Sequence, residues 1–143
     1  MNLTLHQFAS DELRADRDIV LAAVKLSGWA LQYAYEELCA DREIVLAAVK
    51  QDGSAFQLAT WELRSDREVV LSAVNIDARA LQGAYIDICD DREVVLVSVK
   101  QNGTAIKFAS AELRADPMLL SWAKLSRAQS LWRQLRENLL LCN

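Results

Sequence analysis

The chain has 143 residues, 52% of them hydrophobic, which is enough to bury a core in one folded unit. Sixteen basic and twenty acidic side chains give a formal net charge of −4 with no basic cluster, so nucleic acid is not an expected partner. No apolar run is long enough for a membrane span, the first ten residues lack a signal-peptide pattern, and the three cysteines are an odd number. We therefore expect a cytoplasmic or other reducing compartment.

A repeat of 25 residues begins at each Asp-Arg pair, and self-similarity at a fixed period is typical of repeat arrays. A half copy covers residues 1–15 and a divergent C-terminal cap covers residues 116–143. The pattern predicts an all-α fold in which residues 1–143 form one α-solenoid domain of helix-turn-helix repeats. The full copies are 16–40, 41–65, 66–90 and 91–115.

Each copy opens with a predicted helix that we call helix A. Its leading Asp is a favoured N-cap residue, and a further acid follows two positions later in each full copy. The divergent copy has Pro117 after Asp116, and proline is favoured at the first helical position. Helices are therefore predicted to begin within a residue or two of Arg17, Arg42, Arg67, Arg92 and Pro117.

The end of helix A and the element after it, helix B, are predicted from glycine and alanine. Gly28, Gly53 and Gly103 are expected to end helix A as left-handed residues, and Ala78 in the third copy then requires a different ending. Helix B is expected to be one helix of about ten residues. Two columns should be almost fully buried, namely Val24, Val49, Val74 and Val99 with Ala34, Ala59, Ala84 and Ala109.

The strings DREIVLAAVKQDGSAFQLA (41–59), DREVVLSAV (66–74) and FASAELRAD (108–116) resemble the repeat family known as domain of unknown function 4116. The resemblance covers about residues 4–116. It implies short helical repeats in tandem and carries over no catalytic residues.

Some columns alternate between copies. Tyr35 and Tyr85 share a column that otherwise holds Ser or Thr, and four residues later Cys39 and Cys89 alternate with arginines. The working unit is then 50 residues rather than 25. Two explanations predict this pattern: duplication of a pair whose extra apolar residues are core, or a partner groove lined by Leu26, Tyr35, Ile76 and Tyr85.

Two further columns are polar. Gln32, Gln57 and Gln82 either hydrogen-bond an extended peptide or serve only as soluble helix residues. Acids share one column at Glu12, Glu37, Glu62, Asp87 and Glu112, and an arginine follows the first four of them five residues later, which suggests a Glu/Asp–Arg ladder across the turn between successive helices.

Residues able to carry chemistry are sparse. His6 is the single histidine, so neither a His-centred triad nor a histidine metal site is expected. No glycine-rich phosphate loop is present, and adjacent acids are explained by helix caps and surfaces. We expect no catalytic, cofactor or metal site.

The segment after Pro117 predicts one longer amphipathic capping helix with Leu125, Ala128, Leu131, Trp132, Leu135 and Leu139 on one stripe. Leu139 to Leu141 are apolar on all sides, which predicts a contact with another chain, as in an oligomer or assembly, or with the solenoid itself. We expect a non-enzymatic module for protein–protein interaction or scaffolding that binds a protein or peptide. The alternative is a structural accessory subunit of a larger assembly.

Overall fold

The structure is a computed structural model and describes residues 10–141. Helices and turns account for the secondary structure of these residues, and none of them forms a strand. The α-helices are α1 (Asp11–Ala15), α2 (Arg17–Leu26), α3 (Glu36–Cys39), α4 (Arg42–Gln51), α5 (Trp61–Ser65), α6 (Arg67–Ile76), α7 (Arg92–Gln101), α8 (Ala111–Arg114) and α9 (Pro117–Leu141). The 3₁₀-helices are η1 (Gly28–Tyr33), η2 (Gly53–Leu58), η3 (Ala78–Gly83), η4 (Ile88–Asp90) and η5 (Gly103–Phe108).

The A helices are α2, α4, α6 and α7, and each begins at the predicted arginine. The N-cap aspartate accounts for this start, because a carboxylate oxygen of Asp16 accepts hydrogen bonds from the backbone N–H groups of Asp18 and Ile19 at 3.0 and 3.1 Å. The same pattern recurs at the N-cap of every later A helix and of α9. The predicted helix starts are confirmed.

The predicted ten-residue helix B is wrong, because two elements replace it. A six-residue 3₁₀-helix follows each A helix, then the backbone extends at the recurrent alanine, for example Ala59 with φ −66° and ψ 156°. A short connecting helix then leads to the next copy; these are α1, α3, α5 and α8, and in the third copy η4. The 3₁₀-helices η2, η3 and η5 start with an Asx cap; in η2, for example, the Asp52 side chain accepts from the N–H of Ser54 at 3.0 Å.

The predicted left-handed glycines are also wrong. No residue in the range 10–141 has a positive φ, and helix A ends at Ser27, Asp52, Asp77 or Asn102 in extended backbone. The third copy, with Ala78, ends in the same way as the others. Gly28 is required for close approach instead, because a Cβ there would overlap the backbone carbonyl oxygen of Ala48 in the next copy.

The A helices run parallel in one layer and the 3₁₀-helices form the second layer. The core lies between the layers, where Val24, Val49, Val74 and Val99 are fully buried as predicted. In the alanine column, Ala59, Ala84 and Ala109 are buried while Ala34 is only half-buried. Consecutive copies are also joined through the backbone, because the N–H of Thr60 donates to the carbonyl of Cys39 at 3.1 Å, as equivalent pairs do along the array.

The packing alternates with a period of two copies. Helix α2 packs closely on α4 and α6 on α7, whereas α4 and α6 touch less. The 3₁₀-layer does the reverse, with its closest contact between η2 and η3. A Cβ on Gly83 would lie 2.6 Å from the backbone nitrogen of Gln57, which explains glycine at a position held by Tyr33, Leu58 and Phe108 in the other copies. The 50-residue period is thus a property of the packing.

Candidate functional site

Leu26 and Ile76 lie at the C-terminal ends of α2 and α6. Leu26 is 88% exposed and Ile76 is 42% exposed, so neither side chain belongs to the core. Their column holds exposed glutamines in the alternate copies, and Gln101 donates to the carbonyl of Asn75 at 2.9 Å. This contact holds the C-terminal ends of neighbouring A helices together.

Tyr35 and Tyr85 lie at the other end of the A helices, where the connecting helices start. Their backbone N–H groups donate to the carbonyls of Arg14 and Arg64 at 3.2 and 2.8 Å. Tyr85 is 46% exposed, while Tyr35 is half-buried beneath the Arg14 guanidinium, 5.4 Å from the ring centre. This partial burial, together with the nearby Asp11 carboxylate, raises the pKa of the Tyr35 hydroxyl. Neither ring is enclosed in the core.

The four residues of the predicted groove are therefore not brought together. An A helix of ten residues is about 15 Å long, and it separates Leu26 and Ile76 from the two tyrosines. The glutamine column lies in the 3₁₀-layer, with Gln32 and Gln82 exposed and Gln57 half-buried. Binding by any of these residues stays a prediction, but a single groove made of both ends of the repeat does not exist.

The cysteine half of the alternating pattern belongs to the core. Cys39 and Cys89 are free, half-buried and packed against core side chains, and the Cys39 Sγ lies 3.7 Å from the carbonyl oxygen of Leu31. Burial raises the pKa of both thiols, which keeps them protonated and unreactive. In the alternate copies Arg14 and Arg64 occupy this column, and each donates from Nε to the last carbonyl of the next 3₁₀-helix, at 2.7 and 2.6 Å.

The predicted Glu/Asp–Arg ladder across the turn is wrong, because the arginines pair with the following copy. Arg17 binds Asp41 at 2.8 Å and also Glu43, while Arg67 binds Asp91 at 2.7 Å and also Glu93. Arg42 instead donates to the hydroxyl of Ser72 at 3.0 Å. Arg92 binds one acid, Asp116, at 3.1 Å. The charged pairs hold the N-terminal ends of parallel A helices together, and Arg17 and Arg67 each bind two acids of the following copy.

Comparison with protein families gives three successive matches to one family, at residues 7–38, 16–64 and 66–114. The chain belongs to the family described as a domain of unknown function, DUF4116. No curated protein and no solved structure matches the chain. The DUF4116 matches at 16–64 and 66–114 each contain two copies of the repeat, and they are the same pairs of copies that Arg17 and Arg67 join.

The connecting helices of the DUF4116 repeats present a row of carboxylates to solvent. We call this surface the connecting face. It consists of the five acids that share one column of the repeat and of three exposed apolar side chains beside them. Within residues 10–141 these acids form no ion pair of 4.0 Å or less. Its members are Glu12, Glu37, Glu62, Asp87 and Glu112, with Trp61 (65% exposed), Tyr85 and Ile86 (74% exposed).

An open groove of about 420 Å³ lies on the connecting face between α3 and α5. Glu36, Glu37 and Glu62 line it together with Thr60. The Thr60 hydroxyl oxygen is buried and has no hydrogen-bond partner among the described residues. Residues 1–116 carry twelve basic and nineteen acidic side chains, so the local field and the net charge of the solenoid both favour a cationic ligand.

The side chains of α9 that are buried against the solenoid all lie in its first ten residues, and the Arg127 guanidinium adds a hydrogen bond to the carbonyl oxygen of Gly103 at 3.5 Å. Leu119 and Ala123 are buried against the last repeat, and the Ser126 hydroxyl accepts from the N–H of Gly103 at 3.1 Å. Every residue from 127 to 141 is exposed, including Leu139 at 69% and Leu141 at 84%. The predicted contact of these leucines with the solenoid itself is therefore wrong. The free part extends about 22 Å beyond the C-terminal ends of the A helices, away from the connecting face.

The last sequence predictions to compare with the structure concern metal binding, His6 and membrane-spanning helices. Among the described residues no group of three or more His, Cys, Asp or Glu side chains is arranged to hold a metal ion. His6 lies outside the described residues. Residues 10–141 contain no helix that is both long enough and apolar enough to cross a bilayer.

Proposed function

We propose that this chain is a non-enzymatic protein-binding module whose connecting face takes up a basic, extended segment of a partner protein. One observation carries the proposal: a row of unpaired carboxylates recurs once per repeat beside exposed Trp61 and Ile86. Solvated carboxylates give charge attraction, and a large exposed aromatic ring gives the apolar anchor that concentrates binding energy.

The spacing of the repeats sets the expected sequence of the partner. Packed helices lie about 8–10 Å apart, and a segment in the extended polyproline II conformation has about three residues per turn and rises about 3.1 Å per residue, so that every third side chain points to the same side. A basic residue at every third position therefore stays in register with the carboxylates of successive copies.

The test uses a fluorescent peptide of about twelve residues, long enough to pass four copies, with Lys at every third position and Leu between. Fluorescence anisotropy measures its affinity for the whole chain and for the double variant Glu37→Gln, Glu62→Gln. A control double variant, Asp18→Asn with Glu68→Gln, removes the same charge from the A helices. We expect at least about a tenfold weaker affinity for the first variant and less than a twofold change for the control.

Trp61→Ala is expected to weaken peptide binding by about tenfold or more while leaving the circular dichroism spectrum unchanged, because the ring is mostly exposed. A peptide with its lysines replaced by glutamates should not bind. The proposal fails if the lysine peptide does not bind, or if the control variant loses as much affinity as the connecting-face variant, because the effect is then bulk charge.

The second candidate, a structural subunit of a larger assembly, is favoured by the free half of α9 with its exposed leucines. A fixed neighbour would bury this surface permanently, so the native complex should keep a constant mass on dilution. For either function we propose a reducing compartment, because Cys39 and Cys89 lie two copies apart as free thiols.

A further inference from the structure

Helix α9 carries an apolar seam with a seven-residue period over its whole length. Large side chains occupy the first heptad position, a. The fourth position, d, holds two small side chains and then Leu135. All of them are exposed, and the exposed fraction of the large side chains ranges from 48% at Leu125 to 73% at Trp132. The a residues are Met118, Leu125, Trp132 and Leu139, and the d residues are Ser121, Ala128 and Leu135.

The seam is not an extension of the face that caps the solenoid. The docked residues Leu119, Ala123 and Ser126 occupy heptad positions b and f, on the opposite side of the helix. The same positions beyond the solenoid are polar at Ser130, Arg133 and Glu137, and the exception is Leu140 near the end of the helix. The helix therefore becomes polar where its docking face ends, while the seam stays apolar, as expected of a surface with a partner of its own.

We propose that the seam is covered by the α9 helix of a second copy of this chain, running antiparallel in a two-stranded coiled coil. In an antiparallel pair each a residue faces a d residue of the other helix. Trp132 then packs on Ala128 of the second copy, Leu139 on Ser121, and Leu125 on Leu135. Each layer combines a large with a small residue or two leucines, so the volumes are even.

A parallel pair of the same helices lacks this complementarity. Its a layers would set Trp132 against Trp132, and its d layers would set Ala128 against Ala128 and Ser121 against Ser121. Bulky layers would alternate with voids, and each void costs packing energy. The order of large and small residues therefore selects the antiparallel direction.

The flanking residues agree with the same register. Residues at position e face one another across an antiparallel pair, which brings Arg136 to Trp122 of the second copy. Residues at position g also face one another, which pairs Leu131 with Leu131 and Lys124 with Asn138. No two like charges oppose each other, although residues 117–143 hold four basic side chains against one acidic.

The size of the seam fixes the strength of the association. Its exposed side chains offer on the order of 600 Å² per copy, or about 1,200 Å² in total, which is the lower limit of stable, specific interfaces. The dimer is therefore expected to form at micromolar concentration and to dissociate on dilution. This inference does not depend on peptide binding at the connecting face.

Light scattering after gel filtration of the whole chain tests the proposal, with the mass rising from one to two chains as concentration increases. Leu135→Arg should stay a single chain at every concentration, because it places a charge in the seam. The matched control Gln134→Arg adds the same charge one residue away, outside the seam, and should dimerise like the unmodified chain. Both substitutions affect exposed residues and should leave the circular dichroism spectrum and connecting-face peptide binding unchanged.

The antiparallel direction has a separate test in the Cys142→Ser background. Leu131→Cys should be joined to itself by a short bifunctional maleimide, while Asn138→Cys should not, because position 138 faces position 124 in this register. A single-chain mass of the unmodified protein at the highest concentration overturns the proposal and leaves the seam to another protein or to lipid. A dimer insensitive to Leu135→Arg, or equal cross-linking at positions 131 and 138, overturns it as well.

Discussion

Gly28 and Ala78 occupy the same position of the repeat, and substitutions at the two sites distinguish close packing from a left-handed turn. A Cβ at Gly28 would overlap the Ala48 carbonyl oxygen and lie 3.3 Å from the backbone nitrogen of Asp52. Backbone atoms cannot rotate away, so η1 has to move off α4. Overpacking of this kind costs about 1–3 kcal/mol, and Gly28→Ala recovers about 0.4–1 kcal/mol of chain entropy. We expect a net loss of about 1–2 kcal/mol.

The sign of the stability change caused by Ala78→Gly distinguishes the two explanations. Ala78 is 2% exposed with negative φ around it, so its methyl group is packed and glycine gains nothing there. Its replacement should destabilise by about 1 kcal/mol through lost burial and greater chain entropy of the unfolded state. Urea unfolding followed by circular dichroism and tryptophan fluorescence measures both variants. If Ala78→Gly stabilises the protein, the residue is strained in a turn that prefers glycine and the close-packing argument is refuted.

Two further predictions concern the carboxylate–arginine pairs. The hydrogen bond from Arg17 lowers the pKa of Asp41, so this group stabilises the fold above its unfolded pKa of about 3.9 and loses that contribution as pH falls through the lower folded pKa. Asp41→Asn keeps an N-cap, and it should lower stability at pH 7 and flatten the decline below about pH 4 in pH-dependent urea unfolding. Arg67→Lys should lower the urea midpoint more than Arg42→Lys, because Arg67 binds two carboxylates and Arg42 a hydroxyl; both costs should stay below about 1 kcal/mol.

The A helices could be predicted from sequence because their start depends on local chemistry. A carboxylate that caps two N–H groups of its own first turn requires no information from distant residues. The buried valines followed from the same helix period. The acids of the connecting face are also visible in the sequence as a column, but the sequence does not show that the arginines five residues later bind acids of the next copy instead.

The elements that the sequence does not predict depend on contacts with neighbouring copies. Helix B divides into a 3₁₀-helix and a connecting helix because the array bonds residue 60 to residue 39 of the preceding copy, a contact that no local pattern contains. A partial signal was present in Asp52-Gly53-Ser54 and Asn102-Gly103-Thr104, where an Asx residue two positions before Ser or Thr indicates a separate cap. The arginine pairs span 24 residues or more, so they too required the register between copies.

The two proposed surfaces lie at opposite ends of the A helices, and this separation has a consequence for binding. The connecting face is at the N-terminal ends, while α9 extends beyond the C-terminal ends. In an antiparallel pair of α9 helices the two solenoids sit at opposite ends of the coiled coil, and their connecting faces point outward. The basic helices also lie between two acidic solenoids, which reduces the repulsion between them. A dimer of this shape leaves both connecting faces free. A ligand with two basic segments on a long enough linker can then bind both faces, and its second segment binds at a high effective concentration, so its affinity for the dimer exceeds its affinity for a monomer.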